Sequence, residues 1–315
     1  MNQQSYLSET IVVTGANGVL GSALVRELAR AGAAKVVGLS RSSCDLLDTQ
    51  ATTALFADLK PTVVFHLAAW VAGVQGNALN AGRAFYENSL INLNVIEAAR
   101  LAGVRKIVAA GTAAIYSDDI PLPMRESDLW QGKPHGSEQA YGNAKRAMLA
   151  QLEAYQLQYG LEFCYLICTN LYGERDRFDE KYGHVVPSLI SRFDRSVRER
   201  ADTIVIWGDG SPTRDFLYAG DAAAAFMLAA EHGSGCYNAA TGRSITIREL
   251  VDTMAKVSGY SGEIVWDTTK LNGQLSRAYD VSRLRQLGWE PRTGLEEGLR
   301  KTAAWFRENE HILRR

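Results

Sequence analysis

A tyrosine and a lysine stand four residues apart, at Tyr141 and Lys145. On a helix this spacing places both side chains on one face. An ammonium group near a phenol in a water-poor cleft favours the phenolate and lowers the pKa of the tyrosine. Tyr141 is therefore predicted to act as a general acid or base at a carbonyl or hydroxyl oxygen. Taken alone, such a pair is also typical of an ordinary surface helix.

A hydroxyl side chain follows a short apolar run, Ile107–Ala110, that is predicted to be the fourth strand. This side chain is Thr112. Ligands of open α/β sheets bind outside the carboxyl ends of the strands. Because Tyr141 and Lys145 come after this strand, the three side chains are predicted to form one proton-transfer site.

Three glycines, Gly15, Gly18 and Gly21, connect the first predicted strand to the first predicted helix. Gly15 permits a tight turn, Gly18 lets the backbone approach a pyrophosphate, and Gly21 lets the helix lie close to the sheet. The helix N-terminus then presents unpaired N–H groups and the positive end of its dipole to the phosphates. Placed after the first strand of a βαβ unit, this pattern predicts a dinucleotide cofactor rather than a tight connection alone.

The end of the second predicted strand, Leu39–Ser42, indicates which dinucleotide is bound. No carboxylate stands there to bind the ribose 2′-hydroxyl of NAD. Arg41 is instead suited to pair with a 2′-phosphate, although it is also compatible with an ordinary surface arginine. We therefore predict NADP(H) as the cofactor. The predicted cofactor-binding residues are Gly15, Asn17, Gly18, Val19, Gly21, Arg41, Leu67, Ala68, Tyr141 and Lys145.

The elements that must position these residues follow from an alternation of short apolar runs and amphipathic stretches. Long helices are predicted over about 84–102 and 138–160. Strands without polar alternation, separated by helices, are typical of a parallel sheet covered on both faces. Right-handed crossovers make such a sheet doubly wound. The five predicted strands are Thr10–Thr14, Val36–Leu39, Thr62–His66, Ile107–Ala110 and Phe163–Ile167.

The chain is thus predicted to be an α/β protein with a doubly wound parallel Rossmann sheet and a smaller α+β substrate-binding domain. Its 315 residues correspond to about two domains. The dinucleotide-binding domain is predicted to cover residues 1–172 and to be joined again by about 214–238. Residues 173–213 and 239–315 are predicted to form the substrate-binding domain.

Charge and composition exclude several other classes of protein. The 34 Lys and Arg against 35 Asp and Glu leave a net charge of −1, which disfavours a non-specific nucleic-acid binder. The N-terminal segment lacks the pattern of a signal peptide, and no apolar run reaches the length of a membrane span. We therefore expect a cytoplasmic protein without a nucleic-acid or membrane partner. Four cysteines, with no further ligands near Cys164 and Cys168, predict neither a disulfide framework nor a metal site.

Together, the glycine turn, the hydroxyl after the fourth strand and the Tyr-x-x-x-Lys pair resemble the extended short-chain dehydrogenase/reductase superfamily over nearly the whole chain. Within it, the second half is most similar to the GDP-L-fucose synthase family. The resemblance implies hydride delivery from NADPH to C4 of a nucleotide-linked 4-keto sugar, and it favours a GDP-linked one. It implies that Tyr141 protonates the developing alkoxide, Lys145 holds the nicotinamide ribose and Thr112 hydrogen-bonds the sugar oxygen. The segments that carry it in the second half are Thr169–Gly173, His184–Pro187, Val205–Gly210, Pro212–Leu217, Thr246–Leu250 and Asp280–Leu284.

The same resemblance implies which residues contact the substrate. Arg192 and Arg214 are chemically suited to a diphosphate, and Arg277 stands where the family usually has a lysine. Trp207 is predicted to stack on the base, although packing at the rim of the site is the alternative. Homodimerisation through the two long predicted helices is implied as well. The implied substrate-binding residues are Asn170, His184, Val185, Leu189, Arg192, Trp207, Arg214 and Arg277.

One position departs from the family pattern. The family carries Gly-Ser-Ser-Cys-Ile-Tyr at the end of the fourth strand, and this cysteine takes part with a histidine in C3/C5 epimerisation. Here Ala114 replaces the cysteine, whereas His184 matches the histidine. Because epimerisation next to a ketone needs both a base and an acid, we expect it to be lost, reduced or dependent on His184 alone.

Two alternatives remain open at this point. A nucleotide-sugar epimerase with tightly bound NAD and no net redox change would suit Ala114, but Arg41 argues against it. A non-catalytic protein that senses the cofactor is disfavoured, because a sensor does not need all of Thr112, Tyr141 and Lys145.

Overall fold

The computed structural model describes residues 5–71, 73, 76, 79–179, 183–270 and 274–312. Its strands are β1 Thr10–Thr14, β2 Lys35–Leu39, β3 Val63–His66, β4 Lys106–Thr112, β5 Glu162–Cys168, β6 Asn170–Tyr172, β7 Thr203–Trp207, β8 Thr213–Tyr218, β9 Gly235–Ala239, β10 Ser244–Thr246 and β11 Glu263–Asp267. Six of the described strands form one parallel sheet in the order β2-β1-β3-β4-β5-β9. The predicted Rossmann-type α/β fold is confirmed.

The helices are α1 Val19–Arg30, α2 Thr49–Leu59, α3 Ala81–Leu101, α4 Gln139–Tyr159, α5 Val185–Glu199, α6 Ala219–His232, α7 Ile247–Ser258, α8 Ser282–Gln286 and α9 Leu295–Asn309. On one face of the large sheet α3 packs against α2 and α4, and on the other face α1 packs against α6. No helix within these described ranges is long and apolar enough to cross a membrane.

Alternate residues of the central strands pack into two separate hydrophobic cores. Val12 and Val64 belong to the core beneath α3 and α4. Ile11 and Phe65, one residue away on the same strands, belong to the core beneath α1 and α6. Because both faces are covered, these strands are continuous apolar runs rather than alternating ones.

Two elements of this part were not among the predicted ones. Helix α2 buries little more than Thr52 and Phe56, so its threonine-rich sequence carries a weak helical pattern. Strand β9 pairs with β5 and adds a sixth strand to the sheet. It contains Asn238, a buried polar residue whose hydrogen bonds come from distant segments, so an apolar strand pattern is missing.

A smaller lobe follows the carboxyl end of β5. It contains a three-stranded sheet in the order β10-β8-β6 and a parallel pair formed by β7 and β11. Helices α5, α7 and α9 pack together around a third hydrophobic core, with Phe193, Leu250 and Phe306 at its centre. This core is separate from the two that flank the large sheet.

The pairing of two strands bears on where the two predicted domains meet. Strand β6 and all of β8 except Thr213 lie inside the segments assigned to the dinucleotide-binding domain. They nevertheless pair with each other, and β8 also pairs with β10, in the smaller sheet. The chain returns to the large sheet at α6 and β9. We therefore propose the same two-domain division, with the crossing into the smaller domain placed at β6 and the return at Ala219.

Candidate active site

The glycine-rich turn lies where β1 ends and α1 begins. Gly15 has φ of +69°, and a Cβ there would lie 2.9 Å from the Ala68 backbone nitrogen. A Cβ on Gly21 would overlap the Gly15 carbonyl oxygen. Gly18 caps α1 without a side-chain hydrogen bond, so the first N–H groups of the helix are free to bind an anion. Only glycine fits at positions 15 and 21, and the turn fits a pyrophosphate.

The other predicted cofactor residues lie around this turn. Asn17 is exposed, while Val19, Leu67 and Ala68 are half-buried. Arg41 follows β2, and its largely exposed guanidinium lies 4.0 Å from the Glu87 carboxylate on α3. No short ion pair holds this guanidinium among the described residues, so it is available to a phosphate.

Helix α4 carries the predicted proton-transfer pair. The Tyr141 side chain is 9% exposed and that of Lys145 is 1% exposed. The Lys145 Nζ donates to the Ala110 carbonyl oxygen on β4 at 2.8 Å and lies 5.9 Å from the centre of the Tyr141 ring. A Cβ on Gly142 would overlap the Ala114 carbonyl oxygen, so this glycine lets α4 approach the end of β4. The pair is therefore held in a buried site and is not a surface pair.

The protonation of this pair differs from the prediction. Burial raises the pKa of Tyr141, with smaller contributions from Cys168 and Glu138. Burial also lowers the pKa of Lys145 to about 8. The predicted lowering of the Tyr141 pKa by Lys145 is not found, because burial penalises the charged phenolate and Cys168 and Glu138 act in the same direction. Tyr141 is thus a neutral phenol at physiological pH, which is the form that donates a proton.

Thr112 and Ala114 lie beside this pair. Thr112 is the last residue of β4, and its hydroxyl accepts a hydrogen bond from the Ala114 N–H at 3.3 Å. Ala114 is buried against Tyr141 and Ala84. The position at which the related family carries a cysteine is therefore occupied by a methyl group in contact with the tyrosine.

The predicted residues at the start of α5 divide between surface and core. His184 is the N-cap residue of α5 and is exposed, as is Val185. Leu189 is buried in the core of the smaller lobe. Burial raises the pKa of Asp176, and the nearby His184 opposes this shift.

The predicted arginines fall into two places. Arg192 on α5 donates to the Val205 carbonyl oxygen on β7 at 2.8 Å, and Trp207 at the end of β7 is 67% exposed. Arg214 and Arg277 instead lie close enough that Arg277, after burial, helps lower the pKa of Arg214. The structure does not place Arg192 with Arg214 and Arg277.

Arg277 contacts a residue that the sequence did not single out. Its Nη2 donates to the Glu138 carboxylate at 2.7 Å, and its Nε donates to Gln274. Glu138 is the N-cap residue of α4, three positions before Tyr141. Asn170, also predicted, donates to the Asp215 carbonyl oxygen at 3.0 Å on the neighbouring strand. We name Arg214, Arg277 and Glu138 the arginine cluster; its spacing in the chain carries no local signal.

Comparison with known proteins places the chain in a family. A model of the NAD dependent epimerase/dehydratase family matches residues 11–240. The chain belongs to this family, whose members are extended short-chain dehydrogenases/reductases. GDP-L-fucose synthase of Escherichia coli (strain K12) is 36% identical over 317 residues, which cover 97% of this chain and 99% of that protein.

Two solved structures are also similar along almost the whole chain. One is MlghC, a GDP-mannoheptose C4 reductase from Campylobacter jejuni with NADP bound: the TM-score is 0.87 at 28% identity, over 96% of this chain and 99% of that one. The other is a GDP-L-fucose synthetase from Naegleria fowleri bound to NADP, with a TM-score of 0.90 at 26% identity, over 100% and 98% of the two chains.

Proposed function

We propose that this protein is an NADP-dependent oxidoreductase that reduces the C4 ketone of a GDP-linked 4-keto sugar. The observation that carries the proposal is the joint burial of Tyr141 and Lys145 beside the end of β4. The names of the relatives, GDP-L-fucose synthase and GDP-mannoheptose C4 reductase, support this substrate class.

The turn after β1 fits NADPH. The free N–H groups at the start of α1 and the close backbone approach at Gly15 suit the pyrophosphate. The Arg41 guanidinium, which matches a 2′-phosphate in charge and shape, accounts for NADP rather than NAD. When bound, NADPH supplies the hydride for the ketone carbon.

The side chains of this protein supply the proton and the positioning. Tyr141, kept as a neutral phenol by burial, donates its proton to the ketone oxygen, which becomes the C4 hydroxyl. Lys145 stabilises the resulting phenolate and holds the nicotinamide ribose. Thr112 orients the ketone oxygen by a hydrogen bond. One hydride and one proton thus convert the ketone to a secondary alcohol.

The smaller lobe holds the nucleotide. Arg214 and Arg277 place two guanidinium groups near each other, with the Glu138 carboxylate bonded to Arg277 and Asp118 also acting on it, and this pair of cations favours a diphosphate. Trp207, largely exposed, offers its ring to the base. The remaining substrate contacts are assigned to Asn170, His184, Val185, Leu189 and Arg192.

Ala114 leaves the protein mainly a reductase. Its methyl group, packed on Tyr141, carries no proton, and exposed His184 is left as a single proton carrier for C3 and C5. Incubation with the keto sugar in D₂O without NADPH tests this point. Slow or absent deuterium uptake is expected, whereas rapid uptake at both C3 and C5 contradicts it.

We also propose that the protein is a homodimer and that it is cytoplasmic. Helices α3 and α4 expose apolar side chains, among them Tyr86, Leu93 and Leu157, which would be covered in a homodimer built as a four-helix bundle. Light scattering should give a dimer that Leu93→Glu dissociates, while Leu122→Glu, a loop change at similar exposure, should leave it intact. The free cysteines of the described chain suit the cytoplasm.

A direct assay decides the main proposal. Purified protein is mixed with GDP-4-keto-6-deoxymannose and NADPH, and the loss of NADPH absorbance and the reduced sugar are measured together. Stoichiometric NADPH consumption, with NADH much less effective, is expected. Retained NAD together with sugar interconversion and no NADPH consumption would instead identify an epimerase.

A further inference from the structure

A buried chain of side-chain hydrogen bonds crosses the molecule from the glycine-rich turn to α4. The Thr14 Oγ1, at the end of β1, lies 2.9 Å from His66 Nδ1 on β3. His66 Nε2 lies 3.0 Å from Asn92 Oδ1 on α3. The Asn92 Nδ2 then donates to the Ala144 carbonyl oxygen on α4 at 3.4 Å. Four elements, β1, β3, α3 and α4, are linked through one histidine.

The direction of every hydrogen bond in this chain follows from its first member. The backbone N–H groups of Leu67 and Ala68 both donate to Thr14 Oγ1, each at 3.1 Å. These bonds occupy the acceptor sites of the hydroxyl, so its proton points to His66 Nδ1. The ring proton of His66 is therefore on Nε2 and is donated to Asn92 Oδ1. The amide nitrogen of Asn92 is thereby left to face α4.

His66 remains neutral in this position. Its side chain is fully buried, and burial together with the charge of Lys145 lowers the pKa of His66 to about 3. Lys145 on α4 is the charged side chain that acts on His66, and Lys145 in turn interacts with Cys168 at the end of β5 and accepts a hydrogen bond from Tyr165 at its carbonyl oxygen. A neutral ring is the one state that accepts from Thr14 and donates to Asn92 at once.

Both ends of the network lie at the active site. At one end, the 67–68 backbone packs so closely on the glycine-rich turn that Gly15 admits no side chain. At the other end, Ala144 directly precedes Lys145, whose Nζ donates to the end of β4. A histidine with a structural role alone would need hydrogen-bond partners in the core, but those partners would not have to lead to the active site.

We infer that His66 is a positioning residue that sets the glycine-rich turn and Lys145 at a fixed distance and orientation from each other. A cofactor bound at the turn is then correctly positioned relative to Tyr141, which donates its proton to the ketone oxygen. The inference rests on the proposed function, since it takes Tyr141 and Lys145 as the proton-transfer pair. His66 itself touches neither substrate nor cofactor in this account.

Two variants divide the network at its centre. In His66→Asn, the amide oxygen replaces Nδ1 as acceptor for Thr14, and the bond to Asn92 is lost. In His66→Gln, the amide nitrogen replaces Nε2 as donor to Asn92, and the bond to Thr14 is lost. We expect His66→Asn to lower kcat at least tenfold with the Kd for NADPH within twofold of wild type. His66→Gln should weaken NADPH binding at least fivefold and lower kcat less.

Asn92 and Asn94 provide a matched pair of control sites on α3. Both amides are buried, but Asn94 bonds the Leu46 carbonyl oxygen and the Thr49 hydroxyl, on the side of α2. Asn92→Leu and Asn94→Leu should lower the melting temperature to a similar extent. Only Asn92→Leu should also lower kcat, because only Asn92 reaches α4.

The results that overturn the inference are distinct from those that overturn the proposed function. A folded His66→Asn variant with wild-type kcat would show that His66 has a structural role only. The same conclusion would follow if kcat and Kd changed in parallel with the melting temperature in both His66 variants. If the wild-type protein reduces no GDP-linked 4-keto sugar, the proposed function is wrong. In that case the NADPH dissociation constants and the ¹⁵N NMR signals of His66 still test the inference. A His66 ring protonated at Nδ1, or one that titrates near neutral pH, would contradict the hydrogen-bond network described above.

Discussion

The glycine-rich turn and the arginine cluster are both proposed to bind phosphate groups, but they are built differently. The turn uses backbone: Gly15, Gly18 and Gly21 lie within seven consecutive residues, and the absence of their side chains would let N–H groups reach the ligand. The cluster uses charged side chains, with Arg214, Arg277 and Glu138 brought from three separate segments.

This contrast predicts how each region responds to substitution. The turn is rigid, because added atoms collide with backbone that cannot move. The cluster is adjustable, because long side chains can exchange partners when a diphosphate arrives. The proposed catalytic pair lies on α4, where Lys145 is bonded to β4 and Glu138 of the cluster stands at the start of the same helix.

The largest effect is expected at neither of these two regions but at the Tyr141 phenol. Tyr141→Phe removes the proton donor and should lower kcat by at least about 100-fold, the usual contribution of a general acid. The NADPH Kd should stay near wild type, because both binding regions are intact. Tyr159→Phe, on the same helix but exposed, is the matched control and should keep full turnover. Unchanged turnover in Tyr141→Phe would show that the assigned acid is wrong.

The second test concerns the rigidity of the turn. Gly21→Ala places a methyl group on the Gly15 carbonyl, and overpacking of this kind costs about 1–3 kcal/mol. Binding of NADPH should weaken roughly fivefold to 100-fold, as measured by fluorescence titration. Gly82→Ala meets no neighbouring atom on α3 and should leave binding unchanged. Equal affinities in the two variants would contradict a rigid turn.

The pH dependence tests the pair on α4. Burial lowers the pKa of Lys145 to about 8, so its ammonium is present below this pH and is lost as the pH rises through it. The pKa of Tyr141 is raised, so the phenol stays protonated over the same range. We expect kcat to fall about tenfold per pH unit above pH 8. A flat profile up to about pH 10 would exclude Lys145 from catalysis.

The smallest effect is expected in the adjustable cluster. Arg277→Lys keeps the charge but loses the guanidinium bond to Gln274 and the fixed geometry toward Glu138. The KM for the GDP-linked sugar should rise about threefold to tenfold with little change in kcat. Arg243→Lys, at an exposed ion pair, is the control. A large fall in kcat would mean that this cluster is as rigid as the turn.

Much of the glycine-rich turn and of the pair on α4 could be predicted, because the residues that define each of them lie close together in the sequence. The spacing of Gly15, Gly18 and Gly21, the carboxylate-free end of β2 and the i, i+4 spacing of Tyr141 and Lys145 are each read within a few residues. The parallel orientation of the first five strands, but not their order in the sheet, followed from the alternation of apolar runs and helices. Strand β9 was missed, because Asn238 is buried only by virtue of distant partners.

The rest was decided by tertiary structure. The contact of Glu138 with Arg277 and the chain from Thr14 through His66 to Ala144 join segments that no local pattern relates. The raised pKa of Tyr141 reverses the expectation from its neighbour, since the cost of desolvating a charge depends on everything that covers it. Backbone conformation and helical spacing depend on near neighbours in the chain, whereas burial and charge pairing depend on which distant segments fold together.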